Sequence, residues 1–104
     1  MGKLSKTKGK VGEREVAALL REFGYEGKRG VQYQGGNDSP DVQGLPGFHI
    51  EVKRVEALQL WPAMEQAKGD AKEGDVPVVF HRPSRRDWVV ILDAREFLKI
   101  VRGF

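Results

Sequence analysis

The chain has 104 residues, enough for one modest hydrophobic core, and carries 18 basic against 15 acidic residues for a net charge of +3. It has no cysteine, which excludes disulfides, thiolate metal sites and thiol nucleophiles. No apolar run is long enough to span a bilayer or to follow the basic N-terminus as a secretory signal, so a cytoplasmic protein is expected.

Residues 1–9 are polar and Lys-rich, predicting a flexible basic tail ahead of a single domain over 10–104. Val16, Leu19, Leu20 and Phe23 recur at three- and four-residue spacing, predicting a helix over 10–23 that buries this stripe; Gly24 suits its stop. Residues 25–33 read as an irregular strand, and 34–40 (Gln-Gly-Gly-Asn-Asp-Ser-Pro) as a loop. A short strand begins near Asp41, and 44–47 turn the chain back. Residues 48–54 alternate: Phe48, Ile50 and Val52 share one face, His49, Glu51 and Lys53 the other, polar one. A second helix is predicted over 61–72, with Pro62 in its first turn. Residues 76–81 make an apolar, buried strand and 88–92 another; the polar turn 82–87 lets them pair as an antiparallel hairpin. Asp93 suits the N-cap of a last helix over 94–101. The order α-β-β-β-α-β-β-α predicts an α/β domain with a mixed central sheet flanked by helices.

The chemistry concentrates at Asp41 and Glu51-Val52-Lys53. Every second side chain of a strand shares a face, so Glu51 and Lys53 emerge side by side, and a hairpin turning at Leu45-Pro46-Gly47 brings Asp41 beside Glu51. Two carboxylates with the Val52 carbonyl offer the oxygen donors that a hard divalent cation takes, and the Lys53 ammonium can orient or polarise an attacking water. That set suits metal-assisted phosphodiester hydrolysis. The competing reading is an ordinary polar strand face in solvent, since a lone Glu-x-Lys is common. Lys8 and Lys10 with Arg82, Arg85 and Arg86 form basic clusters suited to a polyanion such as nucleic acid, or to plain solvation. His49 and His81 lack a third ligand at metal spacing; His49 shares a face with Glu51 and could touch substrate, though it reads first as a surface residue. Trp61 and Trp88 read as core or interface anchors. Gly35-Gly36 lacks the features of a phosphate loop.

Ser39-Pro40-Asp41 with Glu51-Val52-Lys53 resembles the motif of the PD-(D/E)XK nuclease superfamily. Lys8-Gly9-Lys10-Val11-Gly12-Glu13-Arg14-Glu15 resembles the opening helix of the archaeal-type Holliday junction resolvases, including phage-encoded ones. The likeness runs from Lys8 to about Val79 and fades beyond it. It implies a restriction-endonuclease-like core, Mg2+ (or Mn2+) held by Glu13, Asp41 and Glu51, and Lys53 as the catalytic lysine. It implies Arg14, Arg29, Ser39 and Gln66 near the active site or DNA. The implied activity is structure-selective cleavage of four-way DNA junctions, in a bacterial, archaeal or phage-infected cell. Symmetric incision needs two active sites, which a two-fold homodimer supplies. The alternatives are a repair or restriction-like endonuclease of the same fold acting on linear or flap DNA, or a non-catalytic DNA-binding module. Glu13 has its own alternative, since an acid near a helix N-terminus is favoured electrostatically.

Overall fold

A computed structural model describes residues 2–30 and 40–103, with side chains from residue 9 onward. The elements are α1 (Gly2–Glu22), β1 (Lys28–Arg29), β2 (Val42–Gln43), β3 (Phe48–Lys53), α2 (Leu60–Asp70), β4 (Val76–His81), β5 (Val89–Ile91) and α3 (Ala94–Arg102). The strands form one mixed sheet in the order β1-β2-β3-β4-β5. Neighbours are antiparallel except β3 and β4, which run parallel. A parallel pair needs a crossover, and α2 supplies it. Among the described residues no helix is long and apolar enough to cross a membrane.

α1 starts at Gly2, not at residue 10, so residues 2–9 of the predicted flexible tail have helical backbone. Extending a helix already nucleated by packed residues adds one hydrogen bond per residue fixed, and Lys and Leu are good helix formers. The helix ends as Gly24 predicts. Gly24 has φ +89°, its N–H donates to the Arg21 carbonyl (3.1 Å) and the Tyr25 N–H donates to the Leu20 carbonyl (3.0 Å). These are the paired bonds of a left-handed glycine cap.

Two apolar layers cover the sheet. Val16, Ala17 and Leu20 of α1 pack on Val42, Ile50, Val52, Val78 and Phe80. Ala63, Met64 and Ala67 of α2 pack on Val79 of the opposite face. Each buried large aliphatic contributes about 1.5–3 kcal/mol. Phe23, predicted for the core, is 75 % exposed. It lies beyond the last helical residue, where the helical wheel no longer holds, and Ala17 fills the stripe instead.

β3 lies at the centre of the sheet, and this changes its polar face. Ile50 and Val52 belong to the α1 layer, while Glu51 stands in register with Val79, under α2. Both faces are therefore covered. His49 and Glu51 are each 2 % exposed, where alternation had suggested a solvated face and a surface histidine.

The remaining elements differ in detail. The predicted strand over 25–33 contracts to Lys28–Arg29, and its last residues lie outside the described part. Gly44 allows the close approach there: at φ +114° a Cβ would lie 2.3 Å from the Glu26 carbonyl oxygen. Asp93 occupies the N-cap of α3 but makes no capping bond, because its carboxylate pairs with Lys68 of α2 at 2.8 Å. Trp88 is anchored as expected, its indole N–H donating to Glu15 (3.1 Å), whereas Trp61 is largely exposed.

Candidate functional site

Asp41 is clamped by main chain before its carboxylate does anything. Its N–H donates to the Ile50 carbonyl (2.8 Å), and its carbonyl accepts from the Gly30 N–H (2.8 Å). Gly30 has to be small here, since a Cβ would sit 1.9 Å from the Pro40 carbonyl oxygen. Asp41 Oδ2 then accepts the Val52 N–H at 2.8 Å. The N–H and C=O of one strand residue point to the same side. The Val52 carbonyl is therefore directed toward the β2 side of β3, where the Asp41 carboxylate stands.

Glu51 projects from the same strand toward α2. Its carboxyl is pushed up to about 9 from 4.5. Burial is the largest cause, then the Asp41 charge, a hydrogen bond with the Asp41 carboxyl, and the Asp70 charge; Lys53 opposes them. Two carboxyl groups in contact cannot both ionise cheaply, so they hold a proton between them. On its other flank Glu51 Oε1 lies 2.8 Å from His49 Nε2. Burial lowers the His49 pKa against the opposing pull of Asp70, Asp41 and Asp75, which keeps the ring neutral at neutral pH. Donor atoms of His49, Glu51 and Asp70 all lie within 4.8 Å of one another.

Lys53, two residues beyond Glu51, reaches α2, where its Nζ donates to Gln66 Oε1 at 2.9 Å. Lys53 and Gln66 line one side of a pocket of about 240 Å³ whose other walls include Leu58 and Pro62. An ammonium with a fixed acceptor beside an open pocket is oriented yet reachable.

The structure thus brings together Asp41, Glu51, the Val52 main chain, Lys53 and Gln66. It joins His49 and Asp70 to them; sequence reasoning took His49 for a surface residue and did not single out Asp70. His49 had a signal, its shared face with Glu51. Asp70 had none, because only the packing of α2 brings residue 70 to residue 51. Glu13 lies on α1, which covers the sheet face opposite Glu51, and its Oε1 accepts from Arg29 Nε at 3.0 Å; Arg29 in turn stands opposite Val42, the residue after Asp41.

The basic residues separate into two sets. Lys10, Arg14, Arg85 and Arg86 are exposed. Arg82 is tied inward, donating to the Glu15 carboxylate and to the Arg86 carbonyl, so fewer of its N–H groups are left for a phosphate than its charge suggests. Ser39 and the Lys8 side chain lie outside the described residues. Comparison of the chain with family models, with curated proteins and with solved structures finds no match.

Proposed function

We propose that this chain is a divalent-cation-dependent DNA endonuclease that acts on four-way junctions in the cytoplasm. The observation carrying this reading is the contact set of Asp41: one carboxylate bonded to the Val52 N–H and to Glu51, with Lys53 two residues further along. On this reading β2, β3, α2 and β4 form a restriction-endonuclease-like core.

The donor set fits a hard cation. Two carboxyls in contact, one of them buried and holding a proton at neutral pH, leave negative charge that a divalent ion can take up in the proton's place. Asp41, Glu51 and the Val52 carbonyl are the oxygen donors that would hold Mg2+ or Mn2+. When bound, such an ion neutralises charge on the scissile phosphate and makes water a stronger nucleophile. The protein's own groups do the rest. Asp41 is immobilised by three main-chain hydrogen bonds, so its carboxylate is preorganised. His49 fixes the orientation of Glu51 through the 2.8 Å contact. Lys53, steered by Gln66, donates to an oxygen of the phosphate or of the water as one P–O bond forms and one ester P–O bond breaks. Lys10, Arg14, Arg85 and Arg86 are exposed cations for backbone phosphates, which position DNA without reading its bases. Glu13 and Arg29 form an ion pair between α1 and β1.

Incubating the protein with a synthetic four-way junction, a linear duplex and a flap in Mg2+ tests this. Paired, symmetric cuts in the junction are expected. Cleavage of linear duplex at an equal rate would remove the junction assignment and favour a repair or restriction-like nuclease. Tight junction binding with no cleavage of any substrate would favour a non-catalytic binding module.

A further inference from the structure

The covered face of β3 holds an imidazole that the hydrolysis chemistry above does not use as a ligand. His49 and Glu51 stand two residues apart on the strand and so share one face. β3 is the middle strand of the sheet and α2 lies over that face, which leaves both residues 2 % exposed. Asp70, the last residue of α2, is half-buried and completes the group: donor atoms of all three lie within 4.8 Å of one another. The apolar packing of α2 does not require these side chains, since Ala63, Met64, Ala67 and Val79 form that layer without them.

Charge around the group is one-sided. Asp70 sits at the C-terminus of α2, the negative end of the helix dipole, where an acid is disfavoured. The basic residue of that last turn, Lys68, is engaged with Asp93 at 2.8 Å. Lys53 is turned to Gln66. Among the described residues no lysine or arginine forms an ion pair with Glu51 or Asp70. Asp41 and Asp75 add further negative charge near the His49 ring, and a proton held between Glu51 and Asp41 offsets only part of it. Buried carboxylates are held by paired cations or by metals, and here the nearby lysines are employed elsewhere.

We infer that His49, Glu51 and Asp70 form a binding site for a divalent transition ion of the Zn2+ class, beside the hard-cation site of Asp41 and the Val52 carbonyl and joined to it through Glu51. One imidazole nitrogen and two carboxylate oxygens are three protein ligands, and a water completes the four-coordination usual for an open zinc site. Ligand bonds of about 2.0–2.2 Å bring donor atoms roughly 3–4 Å apart, so separations within 4.8 Å close by small side-chain rotations. The nitrogen selects the ion. Mg2+ takes oxygen ligands and keeps its waters, whereas imidazole suits Zn2+ and Co2+. No thiolate competes for such an ion, because the chain has no cysteine. The site stands on His49 and Asp70, neither of them a ligand in the nuclease reading; only its junction with the Asp41 site depends on that reading.

Calorimetric titration of the metal-free full chain with Zn2+, and separately with Mg2+, tests this. Zn2+ should bind at least about a hundredfold more tightly than Mg2+. Asp70→Asn, a near-isosteric change at a half-buried position, should weaken Zn2+ by about 10–100-fold or more and Mg2+ far less. His81→Gln removes the other imidazole and should leave Zn2+ affinity unchanged. A readout on the wild type avoids any folding defect of the variants: a ring-nitrogen resonance of His49 should move when Zn2+ is added. Zn2+ bound no more tightly than Mg2+ overturns the inference. So does a His49 ring that does not respond to Zn2+, or an affinity that survives Asp70→Asn and falls with His81→Gln. Junction cleavage in Mg2+ by a chain that does not bind Zn2+ would sink this site and spare the nuclease; Zn2+ held at His49 by a chain that cuts nothing would do the reverse.

Discussion

Replacing Glu51 with glutamine keeps the side chain's shape and removes a charge from a place that tolerates it badly. Glu51 is buried among Asp41, Asp70 and His49, and its carboxyl is pushed up to about 9 from 4.5. A carboxyl whose folded pKa exceeds its unfolded one stabilises the fold while protonated. That contribution is complete below pH 4.5 and is withdrawn as pH rises toward 9. By pH 7.5 about three pKa units separate the solution from the unfolded value, at about 1.4 kcal/mol each, so the ceiling is on the order of 4 kcal/mol. Local relaxation around Lys53 and Asp41 brings the expected gain for Glu51→Gln to about 2 kcal/mol. In a domain of this size each kcal/mol moves the melting temperature by roughly 4–8 °C. Scanning calorimetry in chelator should therefore find the variant about 10 °C more stable at pH 7.5, with most of that advantage gone at pH 5. Adding Mn2+ should raise the wild type by mass action and leave the variant nearly unmoved. A variant that melts at or below wild type at pH 7.5, or whose advantage is the same at pH 5, refutes the placement of a strained carboxyl at the site.

Lys53→Met should lower the single-turnover cleavage rate by about 10²–10⁴-fold with metal affinity intact, and Gln66→Leu by about tenfold, because Gln66 acts only through the ammonium; equal losses in quench-flow assays would contradict that order. Gly44→Ala should destabilise by about 2–4 kcal/mol in urea, since it combines a φ of +114° with a clash against the Glu26 carbonyl. A loss under about 1 kcal/mol would mean the β1–β2 approach yields easily. Junction affinity should fall steeply with salt as counterions are released, and Arg85→Ala should reduce the slope of that dependence by about one. A flat response would remove the exposed cations from the DNA surface.

Much of the fold is legible in the sequence because local rules and packing agree there. Gly24 ends α1 where the apolar stripe stops, and the strands at Phe48–Lys53 and Val76–His81 lie where alternation and a continuous apolar run put them. The Asp41–Glu51 contact was legible because a tight turn fixes hairpin register. What escaped were consequences of layers meeting. Glu51 and His49 read as a solvated face because no local pattern says that α2 lies over them; only small residues such as Ala63 and Ala67 hint that a helix can pack so close. Asp70 is distant in sequence and arrives by the same packing. Glu13 is at the border of the α1 stripe as its spacing indicates; no local pattern says which face of the sheet α1 covers, and it is the one opposite Glu51. The N-terminal extension of α1 was missed because composition describes what a free segment does, not one continuing a packed helix.

The most direct test is the single-turnover rate on a four-way junction in Mg2+ for the wild type, Asp41→Ala and Glu51→Ala, with DNA affinity measured in parallel by anisotropy. On the proposed function, phosphate contacts would come from Lys10, Arg14, Arg85 and Arg86, while both acids would hold the cation. The account therefore predicts cleavage by the wild type, loss of detectable cleavage in both variants, and nearly unchanged affinity. Cleavage by either variant near the wild-type rate would contradict it.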